Sequence, residues 1–189
     1  MVAKGPVTAS EVTAAGVPRS YLGRLVASGQ IEHVSRGLYR AASNAASSEL
    51  ATLADVAKRV PHGTVCLLSA LQLHGLTTEL PSAVWLMIDR KARAPSIKSP
   101  RVELVRASGN ARHHGVEERT IDGVSVRVTT PAKTVADCFR YRGHVGMEVA
   151  LAALKDYRRK HRAGMDALVA AAKADRTWPF MRPYVEAVA

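Results

Sequence analysis

Cationic side chains are concentrated in a short N-terminal stretch, at spacings that suit contact with phosphate groups or base edges. Arg19, Arg24 and Arg36 lie within residues 16–40. An arginine guanidinium is a planar fork that can donate paired hydrogen bonds to phosphate oxygens or to the O6 and N7 atoms of guanine. With their polar neighbours they form a set of candidate nucleic-acid contacts: Arg19, Ser20, Tyr21, Arg24, Arg36 and Arg40.

Two short helices are predicted to position these side chains. Thr8 followed by Glu11 matches a capping box, in which a hydroxyl and a carboxylate each satisfy a backbone N–H at a helix start. The first helix should run through Val12 to about Ala15, with Gly16 in the turn that follows.

The second helix is predicted to begin with Pro18 at its first position, where the missing N–H costs nothing. Leu22, Leu25 and Val26 follow at spacings of three and four, which gives one apolar stripe and leaves the arginines facing outward. Gly29 is expected to end the helix as a C′ glycine.

A basic hairpin follows the second helix. Ile31 to Val34 is predicted as a strand, residues 35–37 as a turn with Arg36 at its tip, and Leu38 to Arg40 as the return strand. Two helices joined by a short turn, then a hairpin, match a winged helix-turn-helix, whose second helix can enter a DNA major groove. The alternative is a packing element whose arginines are merely solvated.

Composition favours a polyanionic partner. The 189 residues include 27 lysines and arginines against 16 acidic residues, which gives a formal net charge of +11. That charge does not distinguish DNA from RNA or from an acidic protein. Aromatic residues make up only 5%, which argues against a stacking platform for single strands. No apolar run approaches twenty residues and no signal peptide is recognisable, so a cytoplasmic protein is expected.

The remaining chain is predicted to form a mixed α+β domain. The stretch Ala41 to Ser48 contains small and polar residues, which suggests a winged-helix domain over residues 1–43 and a second domain over residues 44–189.

A helix from Glu49 to Val60, capped by Ser47 or Ser48, should bury Leu50, Leu53, Ala54 and Ala57. Val65 to Leu68 begins apolar, and a short helix from Ser69 to His74 should end at Gly75. Strands are expected at 84–88, 102–105, 118–121 and 124–128, with Asp122-Gly123 as a hairpin turn. Helices are expected at 133–141, 146–160, 165–174 and 178–187. The two cysteines, Cys66 and Cys138, should be buried reduced thiols.

Two basic clusters in the second domain could extend a nucleic-acid surface or bind a partner. The first lies in a proline-containing stretch predicted to be an exposed loop, and the second lies at the end of a long helix. Each could also be an ordinary solvated face. The candidate residues of this secondary surface are Arg90, Lys91, Arg93, Lys98, Arg101, Arg106, Arg112, Arg158, Arg159 and Lys160; Lys155 and Arg162 flank the second group.

Several residue sets could support catalysis, but each fits a structural role better. Ser69, His74 and Asp137 could form a triad, yet no G-x-S-x-G elbow surrounds Ser69, which is expected to cap a helix. His113 and His114 have no carboxylate or cysteine at metal-ligand spacing.

A magnesium-dependent nuclease would need a carboxylate cluster. Asp89 ends a strand, but Glu103 lacks a lysine two positions later, and that cluster is not evident. Lys133 and Asp137, followed by Arg140, predict a local ion-pair ladder. The sequence therefore predicts a protein that is not an enzyme, with no cofactor and no metal.

Several sequence motifs resemble those of the AbiEi family of bacterial antitoxins and transcriptional regulators. The resemblance lies in GVPRSYLGRLVASGQIEHVSRGLYR (16–40), VCLLSALQLHGLTTELPSAVWLMIDRKARAP (65–95), TTPAKTVADCFRYRGHVGMEVALAALKDY (129–157) and MRPYVEAV (181–188). It implies an antitoxin of a type IV toxin–antitoxin system that acts in phage defence. It also implies a winged helix that represses its own operon at inverted repeats, with two copies per operator, and a C-terminal domain that neutralises a nucleotidyltransferase-like toxin.

One departure from the family pattern concerns the N-terminus. Members usually carry another helix before the one predicted at Thr8, and only seven residues precede Thr8 here. Without that helix the face formed by Leu22, Leu25 and Val26 is exposed unless another part of the chain covers it. Two alternatives stay open: an interaction module for protein or RNA with a vestigial DNA-binding head, and a nuclease-type enzyme.

Overall fold

The computed structural model describes residues 5–42 and 49–188, which divide into two units. Unit 1 takes in the described residues up to Pro61 together with Arg119–Val126, and unit 2 takes in His62–Glu118 and the described residues from Arg127 onward. The sequence-based boundary at residues 43/44 and the predicted caps Ser47 and Ser48 lie outside the described residues. The α+β class is confirmed: small helices and strands come first, then a mixed sheet, then a helical C-terminal part.

Unit 1 begins with a winged helix. Its elements are β1 (Val7–Thr8), α1 (Ala9–Ala14), α2 (Arg19–Ala27), β2 (Ile31–Ser35) and β3 (Leu38–Ala41). The capping box is confirmed, since the Thr8 side chain accepts from the N–H of Glu11 and the Glu11 side chain accepts from the N–H of Thr8. Pro18 precedes the helix as its N-cap instead of occupying the first helical position. Gly29, at φ +69°, follows the helix end as predicted.

A third strand in this sheet was not predicted. The two-residue strand β1 pairs antiparallel with β3, so the sheet has the order β1-β3-β2. The short segment before α1 is thereby fixed to the hairpin. The Ala9 N–H also donates to the Gly37 carbonyl over 2.9 Å, which holds the start of α1 against the hairpin turn.

Helix α3 (Glu49–Arg59) also belongs to unit 1 and is joined to the winged helix by two ion pairs. Asp55 pairs with Arg40 on β3, and Lys58 Nζ lies 2.5 Å from Glu11 Oε1 on α1. The prediction that Leu50 faces the core is wrong, since it is 46% exposed. Leu53, Ala54 and Ala57 are buried as predicted, and the buried face also includes Ala51, Val56 and Val60.

The apolar stripe of α2 is only partly covered. Leu22 is buried, whereas Leu25 and Val26 are half-buried. A cavity of about 440 Å³ lies beside them and is bounded by Val12, Leu22, Leu25, Ile31 and Tyr39, among others. The face formed by Leu22, Leu25 and Val26, which the sequence predicts to be exposed unless covered, therefore borders an incompletely filled cavity.

The larger sheet contains five strands in the order β6-β5-β4-β8-β7. These are β4 (Thr64–Val65), β5 (Val84–Asp89), β6 (Val102–Ala107), β7 (Val116–Ile121) and β8 (Val124–Thr129). The β5–β6 and β4–β8 pairs are parallel and the β4–β5 pair is antiparallel, so the sheet is mixed. Asp122 and Gly123 both have positive φ, as a type I′ hairpin turn requires.

Helices surround the core of unit 2. They are α4 (Leu67–Leu73), α5 (Asn110–His113), α6 (Pro131–Arg140), α7 (Arg142–Val145), α8 (Met147–Lys160), α9 (Met165–Ala174) and α10 (Trp178–Ala187), with a 3-10 turn at Arg162–Gly164. Their buried side chains, such as Leu71, Phe139, Leu154 and Met181, pack in one cluster with Met87 of β5. None of the helices in the described ranges is long and apolar enough to cross a membrane.

Both cysteines are buried free thiols in this core, as predicted. Burial raises the pKa of both thiols far above the usual range, since the charged thiolate is poorly solvated there. They are therefore inert packing residues at neutral pH.

Candidate nucleic-acid interface

Helix α2 presents one polar face to solvent. Leu22 is 2% exposed and anchors the helix, while Arg19, Ser20 and Arg24 are exposed. Tyr21 is 50% exposed, and the guanidinium carbon of Arg24 lies 5.3 Å from the centre of its ring. This cation–π contact restrains the guanidinium on the outer face of the helix. The structure thus brings together these four predicted contact residues.

The hairpin turn places Arg36 at an exposed tip between β2 and β3. Gly37 follows at φ +74°, a conformation that glycine adopts without strain. The register of the two strands shifts between His33 and Ser35, so a bulge precedes the turn. Because the Gly37 carbonyl is bonded to Ala9, the tip is fixed relative to the helices.

A concavity of about 530 Å³, which we call the polar hollow, lies where α1, α2 and the hairpin turn meet. It is lined by Thr8, Ala9, Ser10, Thr13, Ala14, Arg19 and Gly37. Arg19 brings a positive charge to this lining, and Thr8 Oγ1 and Ser10 Oγ lie 2.9 Å apart within it. A guanidinium next to hydroxyl groups matches the needs of a phosphate, which accepts hydrogen bonds from both.

The Glu11 carboxylate lies close to this surface but is neutralised. It accepts from the N–H and the hydroxyl of Thr8, and Lys58 Nζ donates to it over 2.5 Å. Burial acts to raise the pKa of Glu11, but the hydrogen bonds from Lys58 and Thr8 prevail and lower it. The carboxylate is therefore ionised and paired, which reduces its repulsion of an approaching phosphate.

Arg40 does not share this surface, and we leave it out of the nucleic-acid contacts. Its side chain is buried, pairs with Asp55 and lies 3.7 Å from Glu32. Burial raises the pKa of Asp55, and the charge and hydrogen bond of Arg40 oppose that shift. The charge of Arg40 suggested an external role. Its position on β3 decides the outcome, because a strand residue on the inward side points to the core whatever its charge.

The first basic cluster of the secondary surface divides into two kinds of residue. Three of its arginines make contacts with other groups of the same chain. Arg101 is paired with Glu103, Arg106 donates to the backbone carbonyls of residues 89, 90 and 92, and Arg112 lies 3.6 Å from Asp89. Arg90, Lys91, Arg93 and Lys98 are exposed, and Arg101 and Arg106 are also exposed despite these contacts.

The second basic cluster is divided in a similar way. The Lys160 ammonium donates to the Gly75 carbonyl, whereas Arg158 and Arg159 line a concavity at the end of α8. Arg159 is also paired with Asp156 over 2.8 Å.

The residues weighed for catalysis are engaged in structural bonds. The Ser69 hydroxyl accepts from the Trp85 N–H over 3.0 Å, so it links α4 to β5 and does not cap the helix, which begins at Leu67. His74 Nε2 lies 2.6 Å from the Thr129 carbonyl oxygen. Within residues 5–42 and 49–188, no group of three or more histidine, cysteine or acidic side chains could hold a metal ion.

Lys133 and Asp137 form the predicted ion pair, but in the core and with an unpredicted partner. Lys133 Nζ lies 3.0 Å from Asp137 Oδ1 and 3.0 Å from both carboxylate oxygens of Asp175, and all three side chains are fully buried. Arg140 is not a third member of a side-chain ladder; it donates to the Asp175 carbonyl over 2.5 Å. Burial raises the pKa of Asp137 to about 8. The Lys133 charge opposes this shift, and the Asp175 carboxylate adds to it. One proton on the two carboxylates makes the cluster neutral.

Three hydroxyl residues of the interface were not predicted: Thr8, Ser10 and Thr13, which line the polar hollow. Thr8 was identified as a helix cap only. Ser10 and Thr13 are three apart, so both lie on one side of α1, but nothing local indicates that α2 and the hairpin meet that side.

The winged helix coincides with a segment that matches a known protein family. Residues 3–42 match the family model described as "Transcriptional regulator, AbiEi antitoxin". This segment is therefore similar to AbiEi regulators, and we refer to it as the AbiEi-type domain. The match takes in α1, α2 and the three-stranded sheet, and therefore the polar face of α2, the hairpin tip and the polar hollow. No curated protein sequence matches the chain significantly.

Proposed function

We propose that the chain is a cytoplasmic repressor of its own operon that also acts as the antitoxin of a type IV toxin–antitoxin system. In this proposal the AbiEi-type domain, residues 1–43, binds inverted repeats in promoter DNA. Residues 44–189 neutralise a nucleotidyltransferase-like toxin. The observation that supports it most is that the segment matching AbiEi regulators exposes Arg19 and Arg24 on α2 and Arg36 at the hairpin tip, with Arg19 lining the polar hollow.

The geometry of unit 1 suits duplex DNA. Helix α2 buries Leu22 and exposes a face of arginine, serine and tyrosine, which is the arrangement that a helix in a major groove needs. Arg19 and the hydroxyls of the polar hollow can hold a backbone phosphate at the start of the helix. Arg24 then reaches base edges, and Arg36 reaches a neighbouring phosphate or the minor groove. Phosphate contacts fix the register, and base contacts select the sequence.

Binding to the DNA upstream of the gene tests the regulatory half of the proposal. Fluorescence anisotropy should show tighter binding to that duplex than to a scrambled one, with affinity falling steeply as salt rises. Arg24→Ala should weaken specific binding by about 1–3 kcal/mol, roughly 5- to 150-fold. Arg36→Ala should lower the salt slope by about 1 if it contacts one phosphate.

Lys173→Ala is the matched control, since Lys173 is an exposed cation on α9 in unit 2. Equal affinity for the promoter and scrambled duplexes would refute the repressor proposal. An unchanged dissociation constant for Arg24→Ala would remove α2 from the interface.

Co-expression with the product of the neighbouring gene tests the antitoxin half. We expect the chain to relieve growth arrest caused by that product, and Arg24→Ala to relieve it equally when both genes are transcribed from foreign promoters. That result would place neutralisation outside the DNA-binding face. Persistent growth arrest in the presence of folded chain would contradict the antitoxin role.

A further inference from the structure

Unit 2 contains a second cationic concavity, of about 600 Å³, which we call the basic hollow. It is lined by Lys155, Arg158, Arg159, Arg162, Met165 and Val188. The hollow lies where the end of α8, the 3-10 turn, the start of α9 and the end of α10 come together. Four of its six lining residues carry a positive charge, and none carries a negative one.

The spacing of the four cations explains how they share one side. Residues 155, 158, 159 and 162 follow the three- and four-residue steps that keep side chains on one helix face. The helix itself ends at Lys160, and the 3-10 turn extends the row to Arg162.

The turn that closes the hollow is held firmly. The Tyr157 hydroxyl donates to the Gly164 carbonyl over 2.7 Å, and the Tyr157 ring stacks on His161 with centroids 4.9 Å apart. A Cβ at Gly164 would lie 2.7 Å from the Tyr157 hydroxyl oxygen, so a side chain there would have to displace the Tyr157 ring. The concavity is therefore a built feature of the fold.

The charges in the hollow are compensated only in part. Arg159 pairs with Asp156, whose carboxylate lies 2.8 Å away, and Arg158 donates to the neutral Val188 carbonyl. Lys155 and Arg162 add two further exposed cations. Like charges that line one hollow repel one another, and an anion bound among them relieves that repulsion.

We propose that the basic hollow binds the sugar–phosphate backbone of duplex DNA and gives unit 2 a sequence-independent DNA contact of its own. Arginine forks match phosphate oxygens, and the volume accommodates a phosphate group with its ribose neighbours. The lining has no aromatic ring on which unpaired bases could stack. Its apolar part is limited to Met165 and Val188, whereas protein partners usually meet an aromatic or aliphatic anchor site. The site does not depend on the proposed role of the AbiEi-type domain.

The test uses the full chain with Arg19→Ala and Arg24→Ala introduced together, so that α2 contributes little to binding. In that background, Lys155→Gln with Arg162→Gln removes two exposed cations from the hollow. Anisotropy with a labelled duplex of scrambled sequence is measured across a salt series. The slope of log K against log salt should fall by about 2, since each phosphate contact contributes roughly 0.9.

The matched control is Lys173→Gln with Arg182→Gln, which removes two exposed cations from unit 2 outside the hollow. Its slope should equal that of the parent, and circular dichroism verifies that each variant is folded. If Lys155→Gln with Arg162→Gln does not fold, the single variant Arg159→Gln replaces it, with an expected slope change of about 1. Equal loss in the hollow and control variants would overturn the site.

Two competitors distinguish the duplex backbone from other polyanions. Unlabelled duplex DNA should displace the probe more effectively than duplex RNA of the same sequence or poly-glutamate. Stronger displacement by RNA would overturn the assignment to DNA. Stronger displacement by poly-glutamate would make the hollow a protein-binding site. Because the probe carries no promoter sequence, absence of operator recognition by the AbiEi-type domain would leave this readout unaffected.

Discussion

Replacing Lys133 by methionine should severely destabilise unit 2. The ammonium is bonded to Asp137 and Asp175 in a fully buried site, and it is the cation at 3.0 Å from both carboxylates. Methionine has nearly the same length and fills the same space, so the substitution removes charge without creating a large cavity. It leaves the two buried carboxyl groups, which hold one proton between them at neutral pH, without their cation.

The magnitude follows from the cost of an unpaired buried charge. Removing one partner of a buried ion pair typically costs about 3–5 kcal/mol. Here one ammonium serves two carboxylates, so we expect a loss at the upper end, about 5 kcal/mol. Since domains are stable by about 5–15 kcal/mol, this loss is a large part of the total.

Tryptophan fluorescence during urea unfolding measures the effect. Both tryptophans of the chain, Trp85 and Trp178, lie in unit 2, so the signal reports this unit. The loss should shrink at low pH, where the second aspartate also becomes neutral. Changing them to asparagine together with Lys133→Met should recover part of the stability. A loss below about 1 kcal/mol at neutral pH would refute the reasoning, because it would place the pair in the range typical of exposed ion pairs.

Three further predictions concern single contacts. The raised pKa of Asp137 stabilises the folded state fully below the ordinary value of 3.8, and this contribution is lost as pH rises through about 8. In pH-dependent urea melts, the free energy of unfolding of Asp137→Asn should therefore rise relative to that of the wild type by up to about 1.4 kcal/mol per pH unit over that interval. Parallel curves for the two proteins would contradict the shift. Arg40→Met should cost about 3 kcal/mol and speed amide exchange in β3 and α3, whereas Arg40→Met with Asp55→Leu should recover; unchanged exchange in the single variant would show that the pair is not structural. Thr8→Ala should lower stability by about 1 kcal/mol in thermal melts through loss of the capping box, and an equal loss in Ser10→Ala would exclude the cap as the cause.

Local patterns predicted much of the fold. The Thr8 and Glu11 cap, Gly29 after α2 and the Asp122-Gly123 turn are determined by residues three or fewer positions apart, and each is present in the structure. The α+β class followed from strands clustered between helices. The exposure of Arg19 and Arg24 followed from the apolar stripe of a single helix.

Features that depend on distant residues could not be predicted. Asp175 lies 42 positions from Lys133, and no periodicity connects them. Arg40 pairs with Asp55, which lies 15 positions later on a helix. Because no local pattern indicates that partner, the charge of Arg40 suggested a surface contact although its side chain is buried. Strand β1 has only two residues, too few to show an alternation. Leu50 was assigned to the core by hydrophobicity, although the helix turns it outward.

The division of the chain affects how its parts can be produced separately. Unit 1 consists of residues up to Pro61 together with Arg119–Val126, so the polypeptide passes from one unit to the other three times. A fragment ending at residue 43 would lack α3 and would leave the Arg40 guanidinium without Asp55. Neither unit can be excised by a single cut, so deletion mapping would remove folding partners along with function. Point substitutions in the intact chain are the sound way to assign activities to each half.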